Sequence, residues 1–257
     1  MNRKEMDNDK IITARIEDKL EQCERGSYIT TTGFLNMHEQ SLAMRIVKGR
    51  SDVKSFFYGG YDDAERRIIL FVPDGYADTL EGALEMISPL SVLYIKVAPG
   101  SRKLTHRDYL GSVLSLGLDR SVIGDILVND KGADMIVNSD IVDFLLSEFH
   151  SAGHTNLQIT ASDIGELEVP EQRVKAVRDT LSSPRLDNVV SAAFHVSRSE
   201  AVRAIKGGIV FVNHEEVTKI DKRIDEGDTI VVRGKGKAEL AGLSKKGRIW
   251  AEFKVFI

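Results

Sequence analysis

Ser197 to Asn213 reads SRSEAVRAIKGGIVFVN. Ser197 with Glu200 has the spacing of a capping box, in which the serine hydroxyl and the glutamate carboxylate satisfy each other's backbone amides. A helix follows, with Ala201, Val202 and Ile205 on its apolar side. Ser199, Arg203 and Lys206 fall at i, i+4 and i+7 and form one polar stripe beside it. Arg198 sits in the first turn. Gly207-Gly208 ends the helix, and Ile209 to Val212 alternates between two faces as a strand. A helix start exposes unpaired amides and a partial positive charge, and arginine adds a planar two-pronged donor. Both suit a phosphate.

The flanking sequence extends this pattern. Upstream, Ser183 and Pro184 suit the first positions of a helix whose buried face is Leu186, Val189, Val190, Ala193 and Phe194. Arg185 lies at its start, off the apolar face. Downstream, Asn213-His214 is a turn, Glu226-Gly227-Asp228 another, and Thr229 to Val232 a strand. Arg233 to Arg248 carries six basic residues and one acid and reads as a flexible basic loop that includes Lys235, Lys237, Lys245 and Lys246. Ile249 to Phe256 reads as a closing strand. From Arg185 to the end, 14 basic residues face 10 acidic ones, a net of +4, whereas the whole chain has a net charge of −4. Such asymmetry points to a polyanionic partner at this end.

The rest of the 257-residue chain is read more coarsely. Ile11 to Glu24 and Asn36 to Lys48 have helical periodicity, the second with Asn36 and Glu39 as its cap. Ile68 to Val72 is an apolar strand run closed by the turn Pro73-Asp74-Gly75. Strands are then expected at Val92–Ala98, Asp125–Val128, Asp134–Asn138 and Leu157–Ala161. Helices are expected from Thr105 and from Ser139. The order β-α-β-β-α-β is the ferredoxin-like arrangement. RNA-recognition motifs share it and stack bases on sheet aromatics, but here the central strands offer only Tyr94. Gln172 to Ser183 reads as a charged helix or linker.

No 18-residue apolar run occurs and the first ten residues lack an apolar core, so neither a membrane span nor a secretory signal is expected. Cys23 is the single cysteine and the six histidines are scattered, so no disulfide, metal site or cofactor is expected.

Arg185-Leu186-Asp187, Ser197 to Ala201, Ile205 to Asn213 and Glu226 to Ile230, in that order, resemble the small RNA-binding module named after the fourth small-subunit ribosomal protein, the S-four domain. The resemblance implies that Arg185, Arg198, Ser199, Arg203, Lys206 and Asn213 face structured RNA. A glycine commonly follows the asparagine in that module; here it is His214. Two further stretches, YGGYDDAERRIILFVPDGY (Tyr58–Tyr76) and LTHRDYLGSVLSLGLDRSVIGDILV (Leu104–Val128), resemble the YlmH family of bacterial RNA-binding proteins. That resemblance spans nearly the whole chain. It implies a cytoplasmic, non-enzymatic protein that meets the large ribosomal subunit and stalled complexes carrying peptidyl-tRNA, with a link to cell division.

The expected architecture is therefore α+β: residues 1–76 an N-terminal helical and β-hairpin region, 77–178 a ferredoxin-like domain, 183–257 an S-four-like domain. The expected RNA-binding residues are those six with Lys235, Lys237, Lys245 and Lys246. Arg102, Lys103, His106 and Arg107 form a second candidate RNA contact. The expected partners are ribosomal RNA or tRNA, with no membrane and no small-molecule substrate, and the chain is expected to be a monomer. Two rivals stand beside this reading. One is an RNA-modifying enzyme resembling pseudouridine synthases, for which Asp119 in Gly117-Leu118-Asp119-Arg120 is the nearest candidate catalyst. The other is a DNA-binding helix-turn-helix protein.

Overall fold

In the computed structural model, residues 3–50, 52–169, 174–244 and 249–256 are described. The chain divides into two compact units, Met1–Pro170 and Glu171–Ile257. The boundary expected between residues 76 and 77 falls inside the first unit.

The first unit runs α1 (Arg3–Gly26), β1 (Thr30–Thr31), α2 (Met37–Val47), β2 (Val53–Tyr58), β3 (Ile68–Pro73), α3 (Leu80–Met86), β4 (Leu90–Val97), α4 (His106–Leu114), β5 (Ile123–Asn129), β6 (Gly132–Asn138), α5 (Val142–Glu148), β7 (Ser151–Ala152) and β8 (Thr155–Asp163). Its two sheets have strand orders β1-β3-β2 and β5-β6-β4-β8-β7. All pairs in the larger sheet are antiparallel. Strands β4, β5, β6 and β8 with α4 and α5 realise the ferredoxin-like order.

β3 explains how the unit is layered. Every residue from Ile68 to Pro73 is buried, which is why the run is continuously apolar rather than alternating. Ile68, Leu70 and Val72 pack with Leu90, Val92 and Ile136 of the larger sheet. Ile69 and Phe71 pack the other way, with Ile16, Leu20 and Cys23 of α1 and Ala43 of α2. The second face of the larger sheet, through Leu93, Ile95, Met135 and Val137, meets Tyr109 and Val113 of α4 and Leu145 of α5. The layers are thus helices, small sheet, large sheet, helices. The large-sheet face on which an RNA-recognition motif would stack bases is covered by β3. Tyr94 lies at that interface, its hydroxyl donating to Glu166 O at 2.5 Å.

The two stretches that resemble the YlmH family meet in one buried polar network. Asp125 is 8% exposed and accepts from Tyr61 Oη at 2.8 Å, Glu65 N at 2.7 Å and Arg66 N at 3.0 Å. Arg66 donates to Ile123 O and Phe34 O at 3.1 and 2.8 Å. Burial, then the neighbouring Arg66, lowers the Arg120 guanidinium to about 10, so it remains a cation at neutral pH. Gly124 has to be small: a Cβ there would lie 2.7 Å from the Phe34 ring.

The second unit runs β9 (Val174–Leu181), α6 (Leu186–Ala193), α7 (Arg198–Lys206), β10 (Val210–Val212), β11 (Glu215–Glu216), β12 (Thr229–Val232), β13 (Gly236–Ser244) and β14 (Ile249–Phe256). Its antiparallel sheet has the order β11-β10-β12-β13-β14-β9. Leu186, Val189, Val190, Ala201 and Ile205 of the helices share one core with Val210, Ile230, Leu240 and Phe253 of the sheet. The apolar face expected for α6 is realised.

Several local expectations are corrected. Residues 174–181 form an edge strand of this sheet, paired along its whole length with β14, not a helix or linker. The basic stretch from Arg233 is a strand from Gly236 to Ser244, not a loop; Lys245 and Lys246 lie outside the described residues. α6 starts at Leu186 with Arg185 as N-cap; Ser183 instead accepts from Asn188 Nδ2 through its carbonyl and hydroxyl, at 3.0 and 2.9 Å. Ser139 does not cap α5, since its hydroxyl bonds Ser88 O at 2.7 Å and a 3-10 turn intervenes. α3 was not anticipated.

Candidate RNA interface

The interface is built at the start of α7. Ser197 Oγ accepts from Glu200 N at 3.2 Å, and Glu200 Oε2 accepts from Ser197 N at 2.9 Å. The expected capping box is present and fixes where the helix begins. The Ser197 N–H and hydroxyl, both donating to Glu200 Oε2, hold the Glu200 carboxyl below its ordinary range, with smaller contributions from Lys235 and Arg203. Lys235, in the β12–β13 turn, is therefore close enough to α7 to share its electrostatics. Arg198, Ser199, Arg203 and Lys206 are all exposed, and neither Arg203 nor Lys206 is ion-paired among the described residues.

Asp187 organises the two remaining arginines. It is 2% exposed, and a buried carboxylate needs compensating donors. Arg198 supplies two, Nε and Nη2, both to Oδ2 at 3.1 and 3.0 Å. Arg185 Nε donates to Oδ1 at 3.2 Å. The arginine side chains stay 40% and 59% exposed for Arg185 and Arg198 respectively. One carboxylate thus holds two guanidiniums side by side, with unused N–H donors facing solvent. Two cations around one anion leave a net positive site, pre-ordered for a phosphate oxygen. The sequence reading named both arginines and missed Asp187, although the Arg-Leu-Asp triplet contained it.

The other expected residues divide. Asn213 Oδ1 accepts from Thr229 N at 2.9 Å and Nδ2 donates to Asp228 Oδ1 at 2.7 Å, so its amide ties the β10–β11 turn to β12. Asn213 and His214 both have positive φ, 50° and 67°, the primed hairpin turn that explains the usual glycine at the second position. Lys237 lies on β13 with its ammonium 4.6 Å from the Phe256 ring centre. Arg233, not among the expected contacts, is exposed and stands 5.5 Å over the Phe211 ring.

The second candidate patch, in the first unit, is weaker in charge. Arg102 pairs with Asp108 at 2.7 Å and Lys103 with Asp130 at 3.3 Å. Desolvation, then Arg120, pushes the His106 imidazole below its ordinary value, so it is neutral at pH 7. Arg107 is exposed.

Comparison with known proteins matches these two regions. Residues 89–166 fit the family model described as a putative RNA-binding domain in YlmH, and residues 184–230 fit the S4 domain. The Bacillus subtilis (strain 168) ribosome-associated protein quality control protein P2 is 32% identical over 215 residues, 84% of this chain and 81% of that protein. A solved structure, cell division protein ylmH from Streptococcus pneumoniae, superposes with a TM-score of 0.50 at 21% identity, covering 62% of this chain and 93% of that one.

Proposed function

This chain belongs to the YlmH family, and we propose that it binds structured RNA of the large ribosomal subunit, tRNA or both, in quality control of stalled nascent-chain complexes. The observation that carries this is the arginine pair on Asp187 beside Arg203 and Lys206. Four cations, two at the starts of α6 and α7 and two along the α7 stripe, fit a folded RNA backbone better than a small substrate. Docking is by phosphate and shape rather than by reading base edges. The RNA-recognition face of the first unit is covered, so its contribution to binding comes from its outer surface around Arg107.

The role is non-catalytic and cytoplasmic, and the protein acts as a monomer. Among the described residues no helix is long and apolar enough to cross a membrane. Asp119, the candidate catalyst of the rival enzymatic reading, caps a short 3-10 turn by accepting from Ser121 N at 2.8 Å. That structural task supports the non-catalytic reading. The tie to cell division belongs to the same proposal and would appear as a septation defect on deletion. The direct test is binding of the full chain to large subunits and to tRNA, with Arg198→Ala/Arg203→Ala as the loss variant and Asp119→Asn as the silent one. Loss of a modified base with Asp119→Asn would support the enzyme instead.

A further inference from the structure

The outer face of the second unit's sheet holds a feature that the arginine site does not use. Trp250 is the sole tryptophan of the chain and is 55% exposed on β14. Its neighbours Ala251 and Phe253 are 2% and 0% exposed and enter the core. Alternation therefore turns Trp250 and Glu252 outward. Trp250 is flanked across the ladder by Thr180 of β9 and Ser244 of β13. Along β9, Arg178 pairs with Glu252, Nη2 to Oε1 at 3.1 Å, while staying 74% exposed.

Arg178, Gly242, Ser244, Trp250 and Glu252 line one shallow open groove. Gly242 follows a register shift in β13 and leaves that wall without a side chain. The groove thus offers a planar apolar face with a cation beside it and space above. A flat partner with an anionic tail matches these features, which is the chemistry of a nucleotide in a chain. A surface ion pair such as Arg178–Glu252 is weak enough to exchange for a phosphate.

We propose that Trp250 is a stacking platform for an unpaired RNA base, with Arg178 contacting the adjacent phosphate. This rests on the RNA-binding reading above and adds to it a preference for RNA with an extruded base.

The test uses the single tryptophan as reporter. Full-length protein is titrated with an RNA hairpin carrying two unpaired adenines and with a fully paired hairpin of equal length. Both indole emission and anisotropy of a label on the RNA are followed. Stacking quenches the indole with the bulged RNA only. Trp250→Leu lowers affinity for the bulged RNA roughly tenfold, the scale of one base–aromatic stack, and leaves the paired RNA unchanged. Trp250→Phe retains most of the preference. Gly242→Val, whose Cβ would sit 3.9 Å from Glu252 Cβ, an ordinary contact distance, narrows the groove and weakens binding of the bulged RNA with Trp250 intact. Equal affinities and unchanged emission, with paired RNA still bound, would overturn this inference alone. If neither RNA binds, the RNA-binding reading falls and this inference falls with it.

Discussion

Arg198 donates through both Nε and Nη2 to a single oxygen of Asp187, at 3.1 and 3.0 Å, across eleven residues of chain. The bond joins the first turn of α6 to the first turn of α7 and holds Arg198 beside Arg185. Asp187 is thus a positioning residue for the interface. Asp187→Asn keeps the shape and removes the charge. We expect it to destabilise the protein by about 1–3 kcal/mol, the cost of leaving buried charge-assisted bonds unmade. It should also weaken RNA binding even where urea titration shows the chain fully folded. Full affinity in a folded Asp187→Asn protein would show that the pairing is only structural.

Asp125 gives a prediction of the opposite kind. It accepts three hydrogen bonds from the loop between β2 and β3 and lies in the first unit. Asp125→Ala leaves Tyr61 and two backbone amides without their acceptor. We expect a loss of about 2–4 kcal/mol in a denaturant titration. A change under 1 kcal/mol would mean that water replaces the carboxylate at no cost.

How much of this was legible in the sequence differs by element. α7 was legible because its signals are local: a capping box, an apolar stripe and a glycine stop. β9 was not, because only Val177 and Leu181 of its eight residues are buried. Their four-residue spacing mimics a helix on an edge strand whose other face is solvated. β13 was hidden by its two glycines and Lys237, which mask the inward alternation of Ala238 and Leu240. The covering of the ferredoxin-like sheet by β3 depends on packing between segments far apart in the chain, and periodicity carries no such information. The arginines of the site were readable as charges; their carboxylate organiser shows itself only once α6 and α7 are packed.

The hairpin turn offers a stabilising change. His214 holds φ at 67°, a left-handed conformation that costs a residue with a Cβ and is free for glycine. His214→Gly should raise stability by about 0.5–1 kcal/mol and leave RNA affinity unchanged. A thermal midpoint that falls instead would show that the imidazole contributes more than the backbone strain removes.

Acid sensitivity follows from Asp108. The Thr105 amide and hydroxyl, then Arg102, hold its carboxyl at about 2, against an ordinary 3.8. The folded value is the lower one, so its stabilisation is complete above the ordinary value and is lost as pH falls through about 2. Asp108→Asn should therefore be less stable than wild type at neutral pH and approach it at pH 2. Parallel stability curves for the two proteins across that window would contradict the assignment.

The central claim is that the Asp187-held arginines and the α7 stripe bind RNA through phosphate. Co-sedimentation with purified large ribosomal subunits at rising salt tests it most directly, comparing wild type with Arg198→Ala/Arg203→Ala. The account predicts that wild type travels with the subunit and is released steeply by salt. The double variant should bind weakly, with a slope shallower by about two counterions. Equal sedimentation of both proteins, with equal salt slopes, would contradict it.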